Sequence, residues 1–210
     1  MDDGIMTAEV VDVDGIEYTI LNDTHYRTYV SVPDENIYVK APGIQDGCFY
    51  NVSNIKRVIC DRTVTYIGEH AFSSSSIQYI KTGSATIQSS AFRNTSSLSQ
   101  VIISSCESIG DDAFASSSIQ AIDLRRVSSI GNTAFPSTLK AYVVTSSQTI
   151  TPDGAPNAAK IVYDSSDALT VEYASSKVRL TIANQYDMYN TSVSKETESD
   201  VMEIPVVEFE

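Results

Sequence analysis

The chain has little of what chemistry is usually built from. It contains no tryptophan, two histidines (His25 and His70) and three cysteines (Cys48, Cys60 and Cys106) in 210 residues. Three cysteines are too few for a disulfide scaffold, and an odd number leaves at least one unpaired. No C-x-x-C occurs, so two histidines cannot complete a zinc motif, and the cysteines read as buried free thiols used as small hydrophobes. Serine is abundant but never in a G-x-S-x-G context, and neither histidine sits in a carboxylate pattern. The sequence therefore predicts no enzymatic activity, no cofactor and no metal. Asp12-x-Asp14-Gly15 has the opening of a calcium loop, yet the ninth and twelfth ligand positions are absent.

No apolar run approaches the roughly 20 residues of a membrane span, so no membrane insertion is expected. The opening MDDGIMTAEVVDVDG has neither the basic region nor the apolar core of a secretory signal. Basic residues are scarce as well: 14 Lys and Arg against 27 Asp and Glu give a net charge of −13. That balance argues against a nucleic-acid or anionic-membrane partner, which needs surplus cations. The deficit is uneven, with −7 over residues 1–42, +1 over 43–145 and −7 over 146–210. A balanced middle thus lies between two acidic flanks. The expected organisation is a β cap over 1–42, repeats over 43–145, and a degenerate repeat, hairpin cap and acidic tail over 146–210.

What the middle does have is a repeat. Five segments share Ile-x-x-x-(Ala/Cys)-Phe: Ile44 to Phe49, Ile67 to Phe72, Ile87 to Phe92, Ile109 to Phe114 and Ile130 to Phe135. Their phenylalanines are 23, 20, 22 and 21 residues apart. After each comes a second pattern, L-x-x-V-x-V: Ile55, Val58, Cys60; Ile77, Ile80, Thr82; Leu98, Val101, Ile103; Ile119, Ile122, Leu124; Leu139, Tyr142, Val144. Alternation at its last two positions is the period of a short strand with one buried face. The Ser- and Asn-rich stretch before it is turn chemistry. A single unit cannot bury its own Ile, Phe and Leu, whereas stacked units turn them into continuous ladders. Gly68, Gly110 and Gly131, each directly after the Ile, suit a tight or left-handed turn, though Gln45 and Gln88 in the same position show that a positive φ is not obligatory there. His70, level with Ser90, Asp112 and Thr133, reads as a tolerated surface position.

With its I-G-x-x-A-F turn followed by L-x-x-I-x-I, the unit resembles the BspA-like leucine-rich repeats. The resemblance covers about residues 43–145, and Asp14–Leu21 looks like a strand leading into such an array. It implies a mostly β solenoid of about five to six units with parallel stacked strands. It also implies use in attachment on secreted or surface proteins, with no catalysis.

At the N-terminal end, Glu9–Val13, Glu17–Leu21, Tyr26–Val32 and Ile37–Val39 read as cap strands. Beyond the repeats, Ile150 opens a sixth unit whose turn is PDGAPNA, followed by a strand near Lys160–Tyr163. Leu169–Tyr173 and Val178–Ile182 then alternate as a hairpin. Pro205 demotes Met202–Phe209 to an edge strand or extended segment, one that could pack on a neighbouring subunit. Asn22, Asn51, Asn94 and Asn190 begin Asn-x-Ser/Thr sequons, which matter only to a protein secreted by a eukaryote.

Side chains pointing away from the core along the strands form two columns. One holds Arg57, Tyr79, Gln100, Ala121 and Ala141, the other Ile59, Lys81, Ile102, Asp123 and Val143, with Arg125 at the rim. Ile59, Tyr79, Ile102 and Val143 make this face more apolar than solvation requires. It is the expected binding surface, for a protein or glycan partner. Two settings fit: an extracellular or cell-surface adhesin whose leader has been removed, or a structural component of a phage or virus particle. In the second, the sheet face or the C-terminal segment would contact an assembly partner or another copy.

Overall fold

The computed structural model describes residues 9–22, 35–84, 86–166, 168–174, 177–183 and 201–205. In chain order the strands are β1 (Val10–Val13), β2 (Ile16–Leu21), β3 (Asn36–Val39), β4 (Arg57–Cys60), β5 (Tyr66–Ile67) and β6 (Tyr79–Thr82). Next come β7 (Thr86–Ile87), β8 (Gln100–Ile103), β9 (Cys106–Ile109), β10 (Ala121–Asp123), β11 (Val127–Ile130) and β12 (Ala141–Val144). The last four are β13 (Ala159–Val162), β14 (Ala168–Ala174), β15 (Lys177–Ala183) and β16 (Val201–Pro205).

Each repeat makes one coil of a β-solenoid. The predicted strands stack in register, Val58 against Ile80 and Ile80 against Val101, and Ile122 against Tyr142. They form one wall, in the orders β1-β2-β3-β4-β6-β8 and β10-β12-β13, with a break in strand pairing between β8 and β10. The opposite wall is a second parallel sheet, β11-β9-β7-β5, which the repeat pattern did not announce. Its strands are as short as two residues. The inward ladders named above join a single buried cluster, with Val101 and Ile130 partly buried against it and the polar Thr82 fully buried beside it.

The phenylalanines fill the space between the walls. Phe49, Phe72, Phe92, Phe114 and Phe135 are at most 2% exposed. Successive rings stack with centroids 4.9, 5.0, 5.0 and 5.5 Å apart and planes within 15° of parallel. Beside each ring the coils are hydrogen-bonded: the amides of Phe49, Phe72, Phe92 and Phe114 donate to the carbonyls of Ala71, Ala91, Ala113 and Ala134, all at 2.7 Å.

The turn chemistry differs from expectation. Gly68, Gly110 and Gly131 have no positive φ; a Cβ on them would stand 2.6, 2.5 and 2.5 Å from the amide nitrogens of Asp46, Ser89 and Asp111 in the preceding coil. Close approach between coils, not handedness, demands glycine there. The left-handed residues are instead His70, Ser90, Asp112 and Thr133 (φ 55, 57, 55 and 49°), level with Gly47 at 62°. A second left-handed row follows the phenylalanines: Asn51, Ser74, Asn94 and Ser116, φ 58–60°. Asparagine tolerates this conformation best among non-glycine residues, which accounts for Asn51 and Asn94 without glycosylation.

At the ends, the parallel ladder does not stop at residue 43. β3 and β2 continue it, Ile37 pairing with Val58 and Thr19 with Ile37, so part of the expected cap is a rung of the solenoid. β1 folds back antiparallel through Asp14-Gly15, whose φ of 55 and 76° make a tight hairpin turn. The Gly15 amide donates to the Asp12 carboxylate at 3.1 Å, so the calcium-like motif serves the turn. The predicted strand Tyr26–Val32 and His25 lie outside the described residues. At the other end β13, the strand of the expected sixth unit, adds a rung beside β12. Its Lys160 stands in register with Tyr142, an exposed lysine ending a core column that is apolar from Ile37 to Val101 and Ile122. Such an inward charge blunts an edge strand against further pairing. β14 and β15 pair as a hairpin with β16 as the edge strand, but the hairpin packs on the outward side of the strand wall and not across its end as the expected cap; residues 206–209 are not among those described.

Removing the central ring in Phe92→Ala should cost about 3–5 kcal/mol in urea unfolding, with little relaxation because this is the shortest unit. Two neighbouring substitutions should have opposite signs. Gly131→Ala drives a methyl into the preceding coil and should destabilise by about 1–3 kcal/mol. Thr133→Gly relieves a β-branched left-handed residue and should stabilise by about 0.5–1 kcal/mol. Equal signs would refute the turn assignment.

Candidate functional site

Strand register places the outward columns directly. The first runs Asn36, Arg57, Tyr79, Gln100, and then Ala121, Ala141 and Ala159 beyond the break; Tyr18 precedes it. The second runs Ile20, Tyr38, Ile59, Lys81, Ile102, and then Asp123, Val143 and Ile161. None of these side chains belongs to the interior cluster that holds the phenylalanines.

The face divides at the break. Beyond β8 it is covered by the chain's own C-terminal hairpin. Ala141, Val143, Ile161, Leu169, Val178 and Leu180 form a second hydrophobic cluster outside the solenoid, with Val171 and Tyr173 packed against it. The expectation that Val143 is exposed is therefore wrong: it is 0% exposed, because the hairpin buries it. Ile59 is also covered, at 7% exposure, flanked in register by Tyr38 and Lys81.

Arg125 is not at a free rim either. Its side chain is 2% exposed and grips Asp123 twice, Nε to Oδ1 at 2.9 Å and Nη2 to Oδ2 at 2.8 Å. The same guanidinium donates to the Ser165 carbonyl and lies 5.2 Å from the centroid of the Tyr163 ring. Arg126 donates to the Ser166 carbonyl. These contacts fasten the segment that leads into β14. A bidentate Arg–carboxylate pair fixes geometry better than a point charge does. Asp123 and Arg125 thus hold the hairpin in place and are not open contacts for a partner.

Before the break the cover is uneven: Tyr18, Ile20 and Ile59 are buried, while Asn36, Tyr38, Arg57 and Tyr79 are half-buried. Arg57 donates from Nε to the Tyr18 hydroxyl at 3.0 Å, and its Cζ lies 4.0 Å from the Tyr79 ring centroid, a cation–π contact. Burial pushes the Tyr79 phenol up to about 12, against the opposing pull of Arg57. Tyr38 donates to Asp61 at 3.1 Å, and burial together with that bond pushes it up to about 12 as well. Lys81 and Ile102 are half-buried, Gln100 exposed. Gln100 Nε2 meets Glu172 Oε1 at 3.3 Å, where the hairpin's edge reaches the open half.

Elsewhere the chemistry is sparse. A shallow hollow of about 360 Å³ lies between Arg125–Ser128 and Ser147–Ile150. Its Gln148 amide is spent on the carbonyls of Leu124 and Val127, at 3.0 and 2.7 Å. Among the described residues no three His, Cys, Asp or Glu side chains converge as a metal site requires, and no helix is long and apolar enough to cross a membrane. The three thiols are buried and form no disulfide, with burial pushing Cys60 up to about 12 and Cys106 to about 11.

Known proteins add the following. The sequence profile of the BspA type leucine rich repeat region matches residues 19–145 in six copies, starting within β2 and not at residue 43. No curated protein matches the chain in sequence. In fold it is similar to the pneumococcal vaccine antigen PcpA, at 21% identity and TM-score 0.53, over 70% of this chain and 39% of that one. This chain thus spans about two fifths of that antigen's length. It is likewise similar to the leucine rich repeat protein of T. pallidum, at 18% identity and TM-score 0.52, over 74% of this chain and 78% of that one.

Two outcomes are expected. Arg125→Ala leaves Asp123 without its buried partner and should cost about 3–5 kcal/mol; limited proteolysis should then cut between residues 163 and 168 first. In alkali, stability should fall as pH rises from about 9 to about 12. The tyrosines and cysteines named above have folded values above their ordinary 10.0 and 9.0, so the native state holds more protons across that window. Urea midpoints measured against pH check the sign.

Proposed function

The chain belongs to the BspA-type leucine-rich repeat family, and on that premise we propose that it is a non-enzymatic binding module of the adhesion type. It engages a protein or glycan partner through the open part of its strand face. The observation that carries this reading is the division of the face: one half is occupied by the chain's own hairpin, and the other presents half-buried Arg57, Tyr79, Lys81 and Ile102 and exposed Gln100, which among the described residues join no such cluster. A stacked sheet is rigid, so a partner landing on it orders little that was mobile. Tyrosine and arginine are the commonest interface anchors, and here they are already locked together. Ile59, Asp123, Arg125 and Val143 support the platform from beneath or beside it. The likeness in fold to a pneumococcal vaccine antigen supports an extracellular or cell-surface setting.

Adhesion of the purified chain to cultured epithelial cells tests the face. Tyr79→Ala and Ile102→Asp should each weaken adhesion about tenfold while leaving the melting temperature within a few degrees. The turn-side changes His70→Ser and Asp112→Ser should leave adhesion unchanged. Loss of adhesion in the turn-side pair alone would move the contact surface to the turns.

A further inference from the structure

Resting on the strand-face reading, we propose that the open half of the face takes an acidic, extended peptide segment of a partner protein, laid over Arg57, Tyr79, Lys81 and Ile102. The first support is charge. The chain carries 27 acidic and 14 basic residues, yet the outward positions from β2 to β8 hold Arg57 and Lys81 and no carboxylate. The described acids near this patch stand at its margins: Asp14 in the β1–β2 turn, Asp61 beyond β4, where it accepts from Tyr38, and Glu172 on the hairpin. Among the described residues no carboxylate forms a salt bridge with Lys81. Among the described residues, a pair of cations with no carboxylate between them on so acidic a molecule favours negative charge locally.

The second support is the occupant already seated next door. The other half of the same face is covered by β14, whose Leu169, Val171 and Tyr173 turn toward the solenoid. Between them, Glu172 on the opposite side meets Gln100. The face thus accepts a β segment that alternates apolar and polar residues and reaches it with a carboxylate at its edge. Ile102 and the Tyr79 ring offer the open half the same apolar footing, and the two cations replace Gln100 as partners for acids. A peptide fits better than a glycan, because the Tyr79 ring and the Lys81 ammonium stand two residues apart on the outward side of β6, the spacing of same-face side chains in an extended chain.

The test uses the full chain and the acidic copolymer poly(Glu,Tyr) as probe, with heparin as the sulfated-glycan comparison, read by isothermal calorimetry. Overall repulsion between two anions is screened within a Debye length of about 10 Å at 0.1 M salt, so binding under those conditions reports local pairing and not bulk charge. Poly(Glu,Tyr) should bind, Lys81→Glu should weaken it on the order of tenfold, and Arg57→Gln should weaken it as well. Lys160→Glu, at the far end of the solenoid, should leave it unchanged. Three outcomes overturn the proposal: no binding of poly(Glu,Tyr), binding that Lys81→Glu does not alter, or binding of heparin alone. Self-association of the chain that Lys81→Glu abolishes would overturn it too, making a second copy the occupant. If Tyr79→Ala abolishes cell adhesion while Lys81→Glu does not, the strand-face function survives and only the acidic partner fails.

Discussion

The five phenylalanine rings lie 4.9 to 5.5 Å apart, close to the roughly 4.8 Å between hydrogen-bonded strands. That match of spacings is the constraint from which the rest of the molecule follows. Rings can stack at the strand spacing only if every coil repeats the same path, so the turns before and after each ring must recur in conformation as well as in sequence. Two rows of left-handed residues and the glycines pressed against the preceding coil are how the chain achieves it. A coil removed from its neighbours would keep neither its ring contacts nor the amide-to-carbonyl bonds beside them.

A stack of this kind produces flat columns of side chains on its outside, and their composition changes along the stack. Where Arg57, Tyr79 and Gln100 stand in one column, Ala121, Ala141 and Ala159 follow in the same line. Small residues let another layer approach closely, and the C-terminal hairpin takes that place. The Asp123–Arg125 pair then holds the strap that leads into it. The half with the large polar and cationic side chains joins no such layer among the described residues.

Much of this was legible in the residues. The recurring Ile and Phe located the core because a solenoid writes its period into the chain, and the alternation after each Phe located the first wall. The second wall escaped because two-residue strands such as Tyr66–Ile67 and Thr86–Ile87 leave no alternation to see. Glycine answers equally to close approach and to a positive φ, so the repeat leaves both readings open at Gly68, where close approach holds, and the left-handed conformation belongs to His70. Periodicity says nothing about where a segment outside the repeat will land, so it leaves Val143 on an open face and Arg125 at its rim. The run of alanines in one column and the Asp-x-Arg spacing at residues 123 and 125 were the available signals for that cover.

The account stands on the hairpin closing one half of the strand face and leaving the other open. Amide hydrogen exchange of the intact chain, read residue by residue, tests this most directly. The account predicts slow exchange in β14 and β15, comparable to that of β10 and β12 beneath them, and slowest exchange in the central rungs β4, β6 and β8. Exchange of β14 and β15 at unprotected rates, with the solenoid still protected, would contradict it.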